Sequence, residues 1–108
     1  MTKVIVEPGI CGLTTYVTAN YVDEDEDEVV ITVESACPSI NKITEVLGDT
    51  FQPYDVCLAK PRNNPFYEYA SDHLPPHPAC PVIAGIIKCI EAECNLALKK
   101  NASITFVE

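Results

Sequence analysis

The chain is poor in several residue types, and each shortage narrows what it can do. Its 108 residues include no tryptophan, one methionine and four glycines, and seven Lys and Arg stand against sixteen Asp and Glu. The resulting net charge of −9 repels phosphate backbones, so we expect no nucleic acid as a partner. No apolar run approaches the roughly 20 residues that cross a bilayer, so we expect no membrane association. The first residues hold one lysine and a very short apolar stretch, unlike a signal peptide, which predicts a cytoplasmic protein.

The remaining composition is that of a folded domain. Hydrophobic residues make up 47% and charged residues 21% of the chain, which predicts a single domain spanning residues 1–108. Much of the acidity lies in the run DEDEDE, from Asp23 to Glu28. We interpret this run as a solvated turn between two strands. The alternative is a cation-binding patch, but the run lacks the glycine that a calcium loop needs.

Four segments have the composition of β-strands. They are rich in β-branched and aromatic residues and run from Lys3 to Glu7, Leu13 to Val22, Glu28 to Ser35 and Ser103 to Glu108. The second and third flank the acidic turn, which predicts an antiparallel hairpin. The fourth is expected to form a last strand that pairs with the first.

Two segments have helical periodicity. The first begins at Cys37-Pro38 and is expected to end near Gly48, and the second runs from Cys80 to Lys100. Between them, residues 51–79 hold six of the nine prolines and both histidines, which predicts a long ordered loop with one helical turn around Tyr54 to Leu58. These elements predict an α+β fold in which two helices pack on one face of an antiparallel sheet.

The six cysteines are the residues with the most chemistry. No CxxC pair occurs, so the usual zinc-ribbon pattern is absent. Cys94 falls on the apolar stripe of the second helix and is expected to pack as a small hydrophobe, whereas Cys89 is expected on the opposite side as an exposed or interface thiol. Cys57, in the predicted loop, is interpreted either as a packing residue or as an auxiliary ligand.

Three cysteines occupy special positions. Cys37 and Cys80 each precede a proline where a helix is predicted to begin, and a thiol there is expected to have a lowered pKa. The simpler interpretation is that each replaces the usual Ser, Asp or Asn cap, and a disulfide between the two is a further alternative. Cys11 lies in a turn before Gly12, where flexible backbone can approach a metal.

This order of motifs resembles the iron–sulfur scaffold family, IscU and the N-terminal domain of NifU, and the related TSCPD domain. The motifs are ICGL around Cys11, ACPS around Cys37 and LPPHPAC from Leu74 to Cys80, and the resemblance covers roughly Ile10 to Lys100. It implies an IscU-like domain in which Cys11, Cys37 and Cys80 hold zinc or a [2Fe–2S] cluster. The chain also departs from the family. Leu13 stands where the scaffolds have Asp, and Ala79 stands directly before the third cysteine, where they have His. The segment after Leu-Pro-Pro is one residue shorter and lacks Lys, and the strands predicted before Cys11 and after the second helix are not scaffold features.

We therefore predict a small cytosolic metal- or iron–sulfur-cluster-binding protein with a scaffold- or carrier-like role. A non-catalytic role is favoured, and the enzyme question is left open. Its ligands would be Cys11, Cys37 and Cys80, with His77 or Cys57 as the fourth, a donor set that suits zinc or a [2Fe–2S] cluster. Sulfur- or metal-delivering proteins are the expected partners, and a homodimer is left open. One alternative is a thiol enzyme with Cys80 as nucleophile and His77 as base. The other is a non-catalytic interaction module with structural cysteines.

Overall fold

The structure, a computed structural model, describes residues 1–23 and 25–108. Its sheet contains four antiparallel strands in the order β1-β2-β3-β4. The strands are β1 (Thr2–Val6), β2 (Thr15–Asp23), β3 (Glu28–Ser35) and the two-residue β4 (Thr50–Phe51). The helices pack on one face of this sheet, which confirms the α+β class.

The hairpin predicted around the acidic run is confirmed. Val17 is paired with Val33 and Ala19 with Ile31, and the register shifts between Tyr21 and Asp23. Residues 25–27 form a turn, in which the Asp27 carboxylate accepts a hydrogen bond of 2.7 Å from the Tyr21 hydroxyl. Glu24, which belongs to the same acidic run, lies outside the described residues.

The side chains of the strands divide the sheet into two faces. Alternate residues such as Val17, Ala19, Ile31 and Val33 are buried beneath the helices, as a period of two requires. On the other face Ile5 and its cross-strand partner Tyr16 are 63% and 53% exposed. The core therefore lies on one side of the sheet only.

The first predicted helix covers the expected residues but is less regular than expected. It consists of α1 (Pro38–Asn41) and α2 (Ile43–Leu47), separated by Lys42, whose φ of −91° and ψ of 0° depart from ideal helix geometry. Ile40 and Ile43 are buried against the sheet and the other helices. Gly48 ends α2, as predicted.

The long loop predicted for residues 51–79 is wrong, because most of this region is helical. It contains α3 (Pro53–Cys57), a 3-10 turn (Pro61–Asn63) and α4 (Pro65–His73). Each element has a proline in its first turn, where the missing N–H is no loss. Only the helical turn predicted near Tyr54 to Leu58 is confirmed, by α3.

The last helix, α5 (Val82–Glu93), lies across β1 and β2 and ends earlier than predicted. Its Gly85 allows close packing, since a Cβ built there would stand 2.3 Å from Cγ2 of Val6. Within the described ranges, no helix has both the length and the apolar character needed to cross a membrane.

The strand predicted at Ser103 to Glu108 is not formed. Residues 98–108 have no regular secondary structure and are exposed. Ile104, Phe106 and Val107 are 87%, 97% and 90% exposed, so they make no core in this chain. The sheet accordingly ends at β1.

Candidate functional site

Three of the predicted ligands lie at one end of the sheet. We name this the cysteine end and define it by Val6, Thr15 and Ser35, which are paired across β1, β2 and β3. Cys11 belongs to the connection between β1 and β2, and Cys37 follows β3 directly. The antiparallel pairing of the strands therefore brings these two cysteines to the same end of the sheet, the cysteine end.

Cys80 reaches this end through the direction of α5. Gly85 packs on Val6, whereas Glu93, two turns further along, hydrogen-bonds to Thr2 at the other end of β1. The helix thus runs antiparallel to β1, and its beginning points toward the cysteine end. Cys80 stands just before that beginning and is half-buried against the core.

The backbone of Cys37 is held by a hydroxyl network. Its N–H donates to Oγ of Ser35 at 3.0 Å, and that oxygen also shares a hydrogen bond of 2.7 Å with Oγ1 of the buried Thr15. Cys37 is the N-terminal cap residue of α1, as predicted, but its side chain makes no capping hydrogen bond. The thiol of Cys37 therefore does not serve as a conventional cap, which removes the simplest structural reason for a cysteine here.

Cys11 lies in an exposed loop with few internal contacts. The N–H of Gly12 donates to the carbonyl of Gly9 at 2.9 Å, and both glycines have positive φ, of 98° and 66°. Glycine adopts this backbone without steric cost, whereas other residues rarely do. Cys11 is exposed, so its position can change without loss of core packing.

His77 and Cys80 are the two ends of a single turn. The Cys80 N–H donates to the His77 carbonyl at 3.3 Å, which brings the first and fourth residues of the turn together. His77 is exposed, so its imidazole is available. This turn keeps His77 close along the chain to Cys80, one of the predicted cysteine ligands.

The predicted ligands share an end of the fold but do not form a closed site. In residues 1–23 and 25–108, no group of three His, Cys, Asp or Glu side chains lies close enough to hold a metal ion. All six cysteines, each within these ranges, are free thiols. The donor types suit zinc or a cluster, but the arrangement in this conformation does not.

Cys57 lies apart from the cysteine end, on the flank of α5. Burial raises the pKa of its thiol to about 12, and the nearby Glu91 carboxylate and Cys94 thiol add to the rise. Cys57 also lines a groove of about 270 Å³ between α3, α4 and α5, together with Tyr67 and Lys88. A thiol that resists ionisation is a poor ligand or nucleophile, so this groove offers little chemistry.

The prediction that Cys89 is exposed is wrong. Its side chain is completely buried, and its Sγ donates to the carbonyl oxygen of Thr2 at 3.3 Å. Burial, followed by the Glu93 carboxylate, raises the pKa of Cys89 to about 11. Cys94, which caps the end of α5, is half-buried, and burial raises its pKa to about 11 as well.

Two polar residues with important contacts were not identified from the sequence. Asn64 is 2% exposed and begins α4: its Oδ1 accepts from the Phe66 N–H at 2.9 Å, and its Nδ2 donates to the Val56 carbonyl. Glu93 accepts hydrogen bonds of 2.8 Å from the Thr2 hydroxyl and from the Tyr21 N–H. Burial would raise the pKa of Glu93, but these hydrogen bonds and the Met1 amino group outweigh it and lower the pKa.

The comparisons with known proteins identify a family. A family model described as a family of unknown function (DUF6951) matches residues 2–106, so the chain belongs to this family. No curated protein and no solved structure matches the chain.

Proposed function

We propose that this chain, as a member of a family of unknown function, binds a thiophilic metal centre, zinc or a [2Fe–2S] cluster, through Cys11, Cys37 and Cys80. The observation that supports the proposal is that β1, β2, β3 and α5 direct all three cysteines to the cysteine end. When bound, such a centre would be held by thiolates, which are its preferred ligands.

The proposal requires a movement of the Cys11 loop. Cys37 and Cys80 are both packed against the core, whereas Cys11 is exposed between two glycines. Closing the site therefore means that this loop folds over the other two thiols while the sheet and α5 stay in place. The free energy of metal binding would supply the cost of ordering the loop.

His77 is the fourth ligand that we favour. The turn that ends at Cys80 already holds His77 nearby, and an imidazole with three thiolates makes a tetrahedral set. Cys57 is disfavoured because its raised pKa and its position beside Glu91 keep it apart from this set. The scaffold-like resemblance of the cysteine motifs supports the three thiolates alone, because Ala79 stands where the scaffolds have their histidine.

We also propose a reducing location and a carrier-like role. Six free thiols persist where disulfides are reduced, which favours the cytoplasm. An exposed Cys11 at the same end as the half-buried Cys37 and Cys80 would let a sulfur- or metal-delivering protein reach the site. We assign the chain no catalytic residue.

The test is metal and labile-sulfide analysis of protein purified anaerobically, followed by titration with Zn²⁺ and Co²⁺. Wild-type protein is expected to bind one equivalent, with the intense thiolate-to-cobalt absorption of a multi-thiolate site. Cys11→Ala, Cys37→Ala and Cys80→Ala should each weaken binding by at least about 100-fold. His77→Ala should weaken it while leaving the thiolate absorption.

Cys57→Ala is the matched control, since it removes the same chemical group on the flank of α5. It should leave both the affinity and the absorption unchanged. The proposal is wrong if wild-type protein binds less than a stoichiometric amount of either metal and contains no labile sulfide. It is also wrong if Cys57→Ala reduces binding as much as Cys80→Ala does.

A further inference from the structure

The last eleven residues combine exposure with the composition of a buried strand. Ser103 to Phe106 alternates polar and apolar residues, Val107 follows, and Ile, Thr, Phe and Val all fit the pleated surface of a sheet. Ile104 and Phe106 would stand on one face of such a strand, and both are almost fully exposed in the single chain. The family model extends through Phe106, so this segment is matched together with the folded body.

The sheet has a free edge of matching length. β1 is five residues long and pairs with β2 on one side, and within residues 1–23 and 25–108 no strand pairs with its other side. Such an edge presents unpaired N–H and C=O groups to another strand. Its side chains also leave apolar surface uncovered, since Val4 is only half-buried and Ile5 is 63% exposed.

We infer that Ser103–Val107 of one copy pairs with the β1 edge of a second copy, so that two chains exchange these segments in a symmetric dimer. The direction of α5 favours a second copy over the chain's own edge. The N–H groups of Leu96 and Ala97 donate to the Glu91 carbonyl, which holds these residues at the end of α5. Glu93, in the last turn of α5, contacts Thr2, the first residue of β1. The C-terminal segment therefore leaves the folded domain where β1 begins.

A direct path along the chain's own β1 would therefore run parallel to it. Every other pair in this sheet is antiparallel, and parallel pairing is slightly less stable per residue. A second copy can approach from either direction and allows an antiparallel pair. The linker from Leu98 to Ala102 spans up to about 16 Å when extended, which is enough to reach a neighbouring molecule.

The surface involved is large enough for a specific dimer. Burying an aromatic side chain such as Phe106 removes roughly 150–250 Å² from water. Two exchanged segments, together with the strand surfaces they cover, reach the order of the 1,200 Å² typical of small stable interfaces. The backbone hydrogen bonds of strand addition would supply geometry, and the alternating side chains would set the register.

Light scattering coupled to size exclusion, in a reducing buffer, tests the inference on the full chain. Wild-type protein should have twice the chain mass of 11.8 kDa. The double variant Ile104→Asp/Phe106→Asp should have the mass of one chain and unchanged thermal unfolding at low protein concentration. Hydrogen exchange should show protected amides in Ser103–Val107 in the wild type and fast exchange there in the variant.

Leu58→Asp is the control, because Leu58 is 66% exposed on the helical side and away from β1. It should remain dimeric. A wild-type chain that is monomeric at about 100 μM overturns the inference, whether its segment is protected, which would mean pairing within the chain, or unprotected. A dimer that survives the double variant, or that Leu58→Asp abolishes, overturns it too.

Discussion

The contact between Gly85 and Val6 sets how closely α5 approaches the sheet, and it can be tested by substitution. In Gly85→Ala the added Cβ would meet Cγ2 of Val6 at 2.3 Å, well inside the ordinary contact distance of 3.4–4 Å. Val6 is 8% exposed and β-branched, so its side chain has little freedom to turn away. Overpacking of this kind costs about 1–3 kcal/mol.

The substitution also has a favourable part. Alanine is better than glycine within a helix by about 1 kcal/mol. The net effect expected for Gly85→Ala is therefore a destabilisation of about 1 kcal/mol, which corresponds to a Tm lower by about 4 °C for a domain of this size.

Removing the obstacle should reverse the sign. In Val6→Ala both Cγ atoms are gone, and the next neighbour of the new methyl is the Cβ of residue 6 at 3.6 Å, an ordinary contact. Val6→Ala alone should cost about 2 kcal/mol. Adding Gly85→Ala to that variant should then recover about 1 kcal/mol, because only the helix preference remains.

The assay is urea unfolding of the four proteins, followed by far-UV circular dichroism in a reducing buffer. The free energies of unfolding should give a coupling of about 2 kcal/mol between the two positions. If Gly85→Ala changes stability equally in both backgrounds, the two residues are not in contact as described. That result would also remove the argument that α5 points Cys80 toward the cysteine end.

Three further predictions concern polar and titratable groups. Asn64→Ala should lower the free energy of unfolding by about 2–3 kcal/mol, because it removes the cap of α4 and leaves the Val56 carbonyl without its donor. Denaturant unfolding checks this, with Asn63→Ala, a substitution of an exposed neighbour, as the control. The lowered pKa of Glu93 contributes stability that is present above its ordinary value of 4.5 and is lost as pH falls through the pKa of the folded state. The stability of Glu93→Gln should therefore fall less on acidification than that of the wild type. The raised pKa of Cys89 contributes stability that is present below its ordinary value of 9.0 and is lost as pH rises toward about 11. The Tm of Cys89→Ala should therefore fall less steeply at alkaline pH than the Tm of the wild type. An equal decline in both proteins would contradict the burial of Cys89.

The hairpin and the start of α1 could be predicted because local chemistry determines them. The β-branched runs on either side of the acidic turn leave little choice but two paired strands. Pro38 has a fixed φ that suits the first turn of a helix, and α1 begins there. In both cases a few neighbouring residues carry the information.

The helices between Phe51 and Ala79 were missed although a local signal was present. Asn64-Pro65 combines a preferred cap residue with a proline at the first helical position, and α4 begins at this pair. The density of prolines was interpreted as a loop, whereas here each of several prolines begins a short element. A proline at the start of a helix can be told from a proline in a loop only by the residues that precede and follow it.

Other features depend on contacts that are distant in sequence. α5 is apolar on most sides, so periodicity alone could not say that Cys89 faces β1 and β2 while Ile87 is only partly buried. The convergence of Cys11, Cys37 and Cys80 was expected from a resemblance, and whether the three thiols hold a metal stays a prediction. Their common end follows from strand pairing and helix direction, which no local pattern contains.

The hydrogen bond between Thr2 and Glu93 also limits the order in which parts of the protein can fold during synthesis. These residues are 91 positions apart, so the apolar face of the first strands stays uncovered until α5 has been made. Contacts of this sequence separation slow folding and leave hydrophobic surface open to aggregation in the meantime. The early hairpin is therefore the part of the nascent chain that most needs protection, and the polar turn and charged residues of its outer face help to keep it dispersed.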